Sequence, residues 1–253
     1  MADERVSMQT TYQIPGYELY KSLGMNIERD FVLRPMTTME EKLRLSSPGF
    51  GTIAQIIKNC LRSNESLDIN QLKVFDVQYL MYKLRTVTYG ESYQFSLVCP
   101  HCGRTINAEV NLDELEVNTV PENFKEPFEI GPLPVSKDVI QCKIFSVKDY
   151  LDILSESKAK IEKFPEMKED PSFLIELCKR VVSVNNKVLA PFQLEEYLKN
   201  LHAKDYQYFD SKYLQMVDSF GLVINSMETE CTQCKKKVKY TLPVTYEFFR
   251  PSF

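Results

Sequence analysis

Hydrophobic residues recur at helical spacing over the first third of the chain. We predict helices near 38–45 and 52–62, each opened by a capping-box pattern, and a longer helix with apolar positions over 72–87. Gly90 is placed to end that longer helix. The preceding N-terminal segment shows no clear period, so we expect an extended arm over 1–30.

The pattern changes to alternation around the first cysteine pair. Tyr93, Phe95 and Leu97 alternate with polar residues up to Cys99, and apolar residues alternate again after Cys102. This alternation predicts a β-hairpin whose turn contains both cysteines.

A second Cys-x-x-Cys pair, Cys231 and Cys234, is predicted to lie in a hairpin of the same kind. The positions four, six and eight beyond the second cysteine are apolar in both hairpins: Ile106, Ala108 and Val110 in the first, and Val238, Tyr240 and Leu242 in the second. Because this spacing is shared, we expect both hairpins to face the same way relative to their sulfurs.

The region between the two pairs is mainly helical by pattern. A proline-punctuated stretch comes first, with its best strand candidate at 139–145. Four helices are then predicted near 147–163, 171–184, 191–202 and 204–219. Pro171 and Pro191 are expected at first helical positions, where the missing N–H costs nothing.

Composition and charge exclude several classes of function. The 253 residues include 31 basic and 35 acidic side chains, and the net charge of −4 disfavours general nucleic-acid binding. Seven cysteines and only two histidines exclude a three-histidine metal site and an H-E-x-x-H protease helix. Glycine-rich phosphate loops are absent from the sequence. We also expect no secretory signal and no membrane span, because no apolar stretch is long enough.

The paired cysteines are the strongest chemical signal. Cys99, Cys102, Cys231 and Cys234 offer four thiolates, which close the tetrahedral coordination of Zn²⁺ and leave no position for water or substrate. We therefore predict one structural zinc per chain. The 128 residues between the pairs far exceed the roughly 15–20 that are usual in such sites. The alternative is two pairs of reduced or partly oxidised thiols; a redox motif is disfavoured, because it needs Cys-x-x-Cys to open a helix.

These patterns predict an α+β fold with a helical N-terminal part, a zinc-ribbon-like β unit built from the two Cys-x-x-Cys hairpins, and a helical insert between the hairpins. The predicted parts are the extended arm (1–30), the helical part (31–90), the zinc-knuckle β unit (91–111 and 222–245), the mainly helical insert (112–221) and an aromatic tail (246–253).

The remaining reactive side chains have simpler interpretations. Cys60, Cys142 and Cys178 lie in apolar periodic segments and are expected to be buried thiols. Cys178 and His202 could be imagined as a nucleophile and its base, but the apolar neighbours of Cys178 favour a core position. His101 is expected to point to solvent. No catalytic or cofactor-binding residue is predicted.

Two further features have open interpretations. The basic cluster of Lys235–Lys237 and Lys239 is either a solvated strand edge or a patch for an acidic partner. The aromatic tail contains Phe248, Phe249 and Phe253 and is either docked on the protein or used to bind a partner.

Several short motifs follow one another in the first half of the chain: Arg34-Pro35-Met36-Thr37, Glu40-Glu41, Leu84-Arg85, Tyr89-Gly90, Cys99-Pro100-His101-Cys102-Gly103 and Val110-Asn111-Leu112-Asp113. Their order and spacing over residues 31–115 resemble the baseplate hub assembly proteins of T-even-type contractile-tailed bacteriophages, the myoviruses. The resemblance is weaker across the insert, and the second cysteine pair is only compatible with it.

This resemblance implies a protein without enzymatic activity that helps to build the central hub of the phage tail baseplate. It would act as an assembly chaperone or as a hub-associated component, with hub and tail proteins as partners and no nucleic acid or membrane. Its place would be the host cytoplasm during tail assembly, or the baseplate of the virion. The residues themselves leave open an alternative, a zinc-ribbon module that binds nucleic acid or serves transcription. They do not indicate an oligomeric state.

Overall fold

The computed structural model describes residues 10–47, 49–63, 67–166, 168–225, 227–243 and 246–249. The described helices are α1 Tyr17–Ser22, α2 Thr38–Ser46, α3 Phe50–Cys60, α4 Val74–Tyr89, α5 Val147–Lys163, α6 Ser172–Arg180, α7 Pro191–Lys199 and α8 Ala203–Val217, with 3₁₀ turns at Ile69–Gln71 and Tyr246–Phe249. The described strands are β1 Thr11–Gln13, β2 Asp30–Val32, β3 Ser92–Val98, β4 Thr105–Asn111, β5 Val117–Asn118, β6 Phe128–Ile130, β7 Ile140–Cys142, β8 Val181–Val184, β9 Gly221–Leu222, β10 Met227–Glu230 and β11 Lys237–Tyr240.

The described strands pair only with antiparallel neighbours. β1–β2, β3–β4, β5–β9 and β10–β11 are two-stranded, and β6–β7–β8 is three-stranded. Helices and these small sheets together confirm the predicted α+β class, with the two cysteine hairpins arranged like a zinc ribbon.

The segment 10–30 is packed against the N-terminal core, which corrects the extended arm expected there. β1 pairs with β2, and Tyr20 of α1 is fully buried. The Tyr20 hydroxyl donates to buried Asp76 at 2.6 Å, and the Gly16 N–H donates to the same carboxylate at 2.8 Å. Strands of three residues and a helix of six are too short to reveal a period in the sequence. Residues 1–9 of the expected arm lie outside the described part of the chain.

The predicted helices of the N-terminal half are present, with one shifted start. α2 begins behind a capping box made by Thr37 and Glu40. α3 begins at Phe50 rather than Thr52, and its N-cap residue makes no side-chain hydrogen bond, so the capping box predicted for this helix is wrong. α4 ends before Gly90, as predicted, and its side chains are buried around most of its circumference. It is therefore the central element of this core.

The helices of the insert are present, but α6, α7 and α8 end earlier than predicted. α5 has the predicted bounds, 147–163. The predicted helix over 171–184 is wrong in its last part, because α6 ends at Arg180 and Val181–Val184 form β8. Three of these four residues are valine, and β-branched side chains favour the pairing with β7 over a further helical turn. Pro171 lies at the N-cap of α6 rather than at its first helical position.

The second hydrophobic core lies between the three-stranded sheet and the helices α6, α7 and α8. β7 lies inside the predicted strand candidate at 139–145. The buried side chains of this core include Phe128, Leu177 and Phe209. The apolar stripe of α8 therefore packs inward, as its spacing predicted.

The insert joins the N-terminal part at closely neighbouring points. β5, near its start, pairs with β9, at its end, so that Val117 faces Leu222. A second link between the two parts is made by buried Lys73, which donates to the Glu126 carboxylate at 2.5 Å and to the Ile144 carbonyl at 2.9 Å. A charge pair buried at such a junction is expensive to break, since either partner alone would remain desolvated.

The described part of the aromatic tail is docked. Phe248 is fully buried, and its ring centroid lies 4.8 Å from that of Tyr82 and 5.0 Å from that of Tyr93. Phe249 is also buried, whereas Phe253 lies outside the described residues. These two rings are therefore part of the N-terminal core.

Candidate metal centre

Two hairpins of matching register present the four cysteines. Leu97 faces Ile106 across the β3–β4 ladder, and Thr229 faces Val238 across the β10–β11 ladder. Ile106 and Val238 each lie four positions beyond the second cysteine of their hairpin, and both are buried. The shared spacing in the sequence therefore corresponds to a shared geometry.

The first turn is held by two backbone hydrogen bonds. The N–H of Cys99 donates to the carbonyl of Arg104 at 2.8 Å, and the N–H of Gly103 donates to the carbonyl of Cys99 at 2.9 Å. Gly103 has a φ of 70°, a left-handed conformation that glycine adopts without steric cost.

The second turn repeats these bonds with different residues. The N–H of Cys231 donates to Lys236 at 3.0 Å, and the N–H of Lys235 donates to Cys231 at 2.9 Å. Lys235 occupies the position of Gly103 and has a φ of 57°. A residue with a Cβ pays roughly 1–2 kcal/mol for this conformation, so the second turn is the more strained of the two.

The two turns bring the four sulfurs into one cluster. The Sγ atoms of Cys99 and Cys234 are 3.8 Å apart, those of Cys102 and Cys231 are 3.7 Å apart, and all four lie within 4.8 Å of one another. Sulfurs bound at about 2.3 Å around a tetrahedral Zn²⁺ would be about 3.8 Å apart. The four side chains can therefore hold one metal ion, and each short contact joins one hairpin to the other.

The free thiols of the cluster differ in acidity. Backbone N–H groups of Cys234 and Gln233 lower the pKa of Cys231 to about 6, which makes its sulfur a thiolate at neutral pH. The pKa of Cys102 is raised to about 11: the backbone N–H of Arg104 opposes the shift, while desolvation and hydrogen bonds with the other three sulfurs produce it. A divalent cation would replace the shared protons and stabilise all four thiolates.

The sulfurs are shielded on one side. Cys99 and Cys231 pack with Ile106 and Val238 in a small buried cluster, distinct from the two larger cores. Cys102 is exposed. Such a cluster at the edge of a β unit is typical of a site that joins chain segments rather than one that admits a substrate.

A family model described as "T4 bacteriophage base plate protein" matches residues 21–250, a range that contains both hairpins and the whole insert. The chain belongs to this family. The similarity inferred from the short motifs is thereby confirmed at the level of a T4-type base plate protein. No curated protein and no solved structure matches the chain.

The basic cluster of this base plate protein is paired with acidic residues of its own hairpin. Lys237 and Lys239 each lie 3.6 Å from the Glu228 carboxylate, and Lys235 lies 4.0 Å from Glu230. The two contacts of Glu228 cross the β10–β11 ladder. They favour a solvated strand edge over a patch for an acidic partner.

The other cysteines and histidines form no second reactive cluster in the described part of this base plate protein. Burial raises the pKa of Cys60 to about 11 and that of Cys142 to about 12, so both are neutral thiols, as predicted. Cys178 is only half-buried, which corrects the buried position expected for it, and it makes no hydrogen bond with His202. The Nδ1 of His202 instead caps α8 by accepting a backbone N–H at 3.1 Å. His101 is exposed, as expected.

Two features of this centre were not predicted, although the sequence contains a pattern that indicates each of them. Lys235 stands four positions beyond the first cysteine of its pair, where the other pair has Gly103, and this equivalence predicts a left-handed residue. Glu228 and Glu230 precede the second pair at positions that hairpin register places opposite lysines.

No described helix is both long enough and apolar enough to cross a membrane.

Proposed function

We propose that this base plate protein acts in assembly of the central baseplate hub, as an assembly chaperone or as a hub-associated component. The family match over residues 21–250 supports a role in the baseplate, and the motif succession over 31–115 supports the hub. Its partners are hub and tail proteins, which it contacts through protein surfaces. No catalytic step belongs to this function.

One zinc ion per chain, bound by Cys99, Cys102, Cys231 and Cys234, is part of the proposal. The sulfur–sulfur distances of 3.7 Å and 3.8 Å support it. Four thiolates leave no open coordination position, so the ion is structural and its binding free energy adds to folding. In this arrangement the zinc fixes the two hairpins to each other on either side of the insert.

Metal analysis of protein purified without chelator tests the zinc. We expect about one zinc per chain, as a single four-thiolate site requires. A metal content near zero would contradict the site.

Affinity purification of the tagged full chain from infected cells tests the partners. Hub and tail proteins should be recovered and identified by mass spectrometry. Recovery of the chain without any baseplate protein would contradict the proposed function. Analysis of purified virions then separates the two roles: an assembly chaperone occurs in hub precursors in the host cytoplasm and not in virions, whereas a hub component occurs in both.

The two zinc knuckles favour one alternative, a zinc-ribbon module that binds nucleic acid or serves transcription. The net charge of −4 and the pairing of Lys237 and Lys239 with Glu228 weigh against it. A shift of DNA or RNA that weakens with added salt would support this alternative, because phosphate contacts are salt-dependent. Absence of any shift at low salt would exclude it.

A further inference from the structure

An apolar groove follows α6 across the insert. Two adjoining cavities of about 720 Å³ and about 470 Å³ share Lys160, Leu174 and Glu195 in their walls. The larger cavity lies among α5, α6, α7 and the beginning of α8, and the smaller one continues towards β8. The apolar walls of the larger cavity include Phe164, Phe173, Leu177, Leu198, Leu201 and Tyr206.

Two aromatic side chains that border this groove are exposed to solvent. Phe164 is 51% exposed and Phe173 is 55% exposed. The Phe173 ring packs edge to face on Tyr206, with centroids 5.7 Å apart, and is thereby held beside the cavity. Exposed rings that border an apolar cavity are typical of a protein-binding surface.

Each lysine that lines the groove lies near a carboxylate. Lys160 and Lys199 pair with the same carboxylate, Glu195, at 3.6 Å and 2.8 Å. Lys179 pairs with Glu156 at 2.7 Å. These cations are therefore poorly placed to attract an acidic ligand.

The acidic residues at the α6 N-terminal end of the groove differ, since Glu169 and Asp170 form no ion pair with any described residue. Asp170 accepts one backbone N–H at 2.9 Å, and both side chains are exposed. The insert as a whole, residues 112–221, has twenty acidic and fourteen basic side chains. The side chains that line the two cavities include four carboxylates and three lysines, so the lining is net negative.

We infer that this groove binds an amphipathic helix of a partner protein, with apolar residues against the groove and a lysine or arginine next to Glu169 and Asp170. α6 has nine residues and is therefore about 13 Å long, which matches two to three turns of such a helix. Helices bind grooves of this kind through apolar residues at positions i, i+3, i+4 and i+7. The inference names the docking site of the hub assembly function proposed above and rests on it for the identity of the partner.

Site-specific photo-crosslinking in infected cells tests the groove. The photoreactive residue p-benzoylphenylalanine replaces Phe173 in the tagged full chain, and the matched control replaces Phe192, which is 77% exposed on α7 and lines neither cavity. We expect position 173 to crosslink to one baseplate protein, in a segment with helical apolar spacing and a basic residue. Position 192 should not crosslink to that segment.

A charge reversal tests the predicted polarity of the partner. Glu169→Lys should lower the yield of the crosslink from position 173 about tenfold, which corresponds to loss of one charge-assisted contact. Glu162→Lys is the control, because Glu162 is 69% exposed, pairs weakly with Lys158 and does not line the groove. It should leave the yield unchanged.

Four results would overturn the inference: crosslinks from position 173 to a second copy of this chain, to an acidic segment, to the segment reached from position 192, or to nothing. The tag distinguishes these failures from failure of the proposed function. If the tagged chain still recovers baseplate proteins, the function stands and the groove is wrong; if it recovers none, the function is wrong as well.

Discussion

The strands of the first cysteine hairpin have seven residues each, and those of the second have four. Tyr93 of the first hairpin is buried in the N-terminal core, and its hydroxyl donates to the Pro243 carbonyl at 3.0 Å. The second hairpin packs its partly buried Tyr240 against Phe95 of the first, with ring centroids 5.4 Å apart. Tyr240 also packs on the N-terminal core, and buried Leu242, just beyond β11, belongs to that core. Both hairpins therefore reach the same core, but the ladder of the second is shorter. We conclude that the second hairpin depends more on the sulfur cluster, because a short two-stranded ladder is marginal in water by itself.

The largest expected effect is loss of the shared ion. Cys99→Ser and Cys231→Ser should each reduce the zinc content from about one per chain to near zero and lower the free energy of unfolding by at least about 4 kcal/mol. Cys178→Ser, a half-buried thiol outside the cluster, is the control and should retain zinc. If one hairpin's variant retained the metal while the other lost it, the two pairs would not share one ion. Metal analysis and denaturant unfolding provide the readouts.

Removal of zinc by a chelator should affect the hairpins unequally. We expect backbone amides of β10 and β11 to lose protection from hydrogen exchange by about tenfold or more relative to those of β3 and β4, since local opening follows local support. Exchange measured by mass spectrometry on peptides from each hairpin checks this. Equal loss of protection in both hairpins would show that their supports are equivalent.

The first hairpin is anchored to the N-terminal core by the contact of Tyr93 with Phe248 of the aromatic tail, and a substitution in the tail can weaken this anchor. Phe248→Ala removes a fully buried ring between Tyr82 and Tyr93 and should cost about 3–4 kcal/mol of folding stability. Zinc content should stay near one per chain. Tyr82→Phe is the matched control, because the buried Tyr82 hydroxyl has no hydrogen-bond partner among the described residues. That substitution should be neutral or stabilise by up to about 1 kcal/mol. A Phe248→Ala protein as stable as the parent would contradict the anchor.

Substitution of the left-handed residue should change folding stability in opposite directions in the two turns. Gly103→Ala should destabilise by about 1 kcal/mol, and only through backbone strain, since no atom lies within 4 Å of the added Cβ. Lys235→Gly should stabilise by about 0.5–1 kcal/mol, because it removes the same strain. Lys236→Gly, at a position without positive φ, should destabilise instead. Thermal unfolding of zinc-loaded protein measures the three, and a loss of stability in Lys235→Gly would count against the strain.

The smallest effect belongs to the charges of the second hairpin. Glu228→Gln removes the shared partner of Lys237 and Lys239, but these exposed side chains contribute little. We expect a change in unfolding free energy below about 0.5 kcal/mol that disappears at high salt. A larger, salt-independent loss would show that these pairs do more than neutralise the strand edge.

The sequence predicted best what short-range chemistry determines. The cysteine turns were predictable because Cys-x-x-Cys and the flanking alternation lie within one hairpin, and the beginning of α5 was predictable from its capping box of Ser146 and Asp149. The approach of Cys102 to Cys231 was predictable for a different reason: zinc needs four ligands, and each pair supplies two.

What the sequence did not predict depends on contacts between distant segments. Gly16 and Tyr20 are fixed by hydrogen bonds to Asp76, some 60 positions away, and nothing local indicates such a partner. Val181–Val184 became a strand because β7 offered it an unpaired edge. The division of the chain into five parts stays a prediction, apart from the N-terminal segment that was corrected.

The pairing of Val117–Asn118 with Gly221–Leu222 has a consequence for how this chain can vary. Since the insert departs and returns across a two-residue ladder, residues can be gained or lost inside it without changing the separation of its ends. The cysteine hairpins would keep their register, and the groove along α6 would be free to diverge with its partner. The ladder thus keeps the ends of the insert together whatever the length of the chain between them.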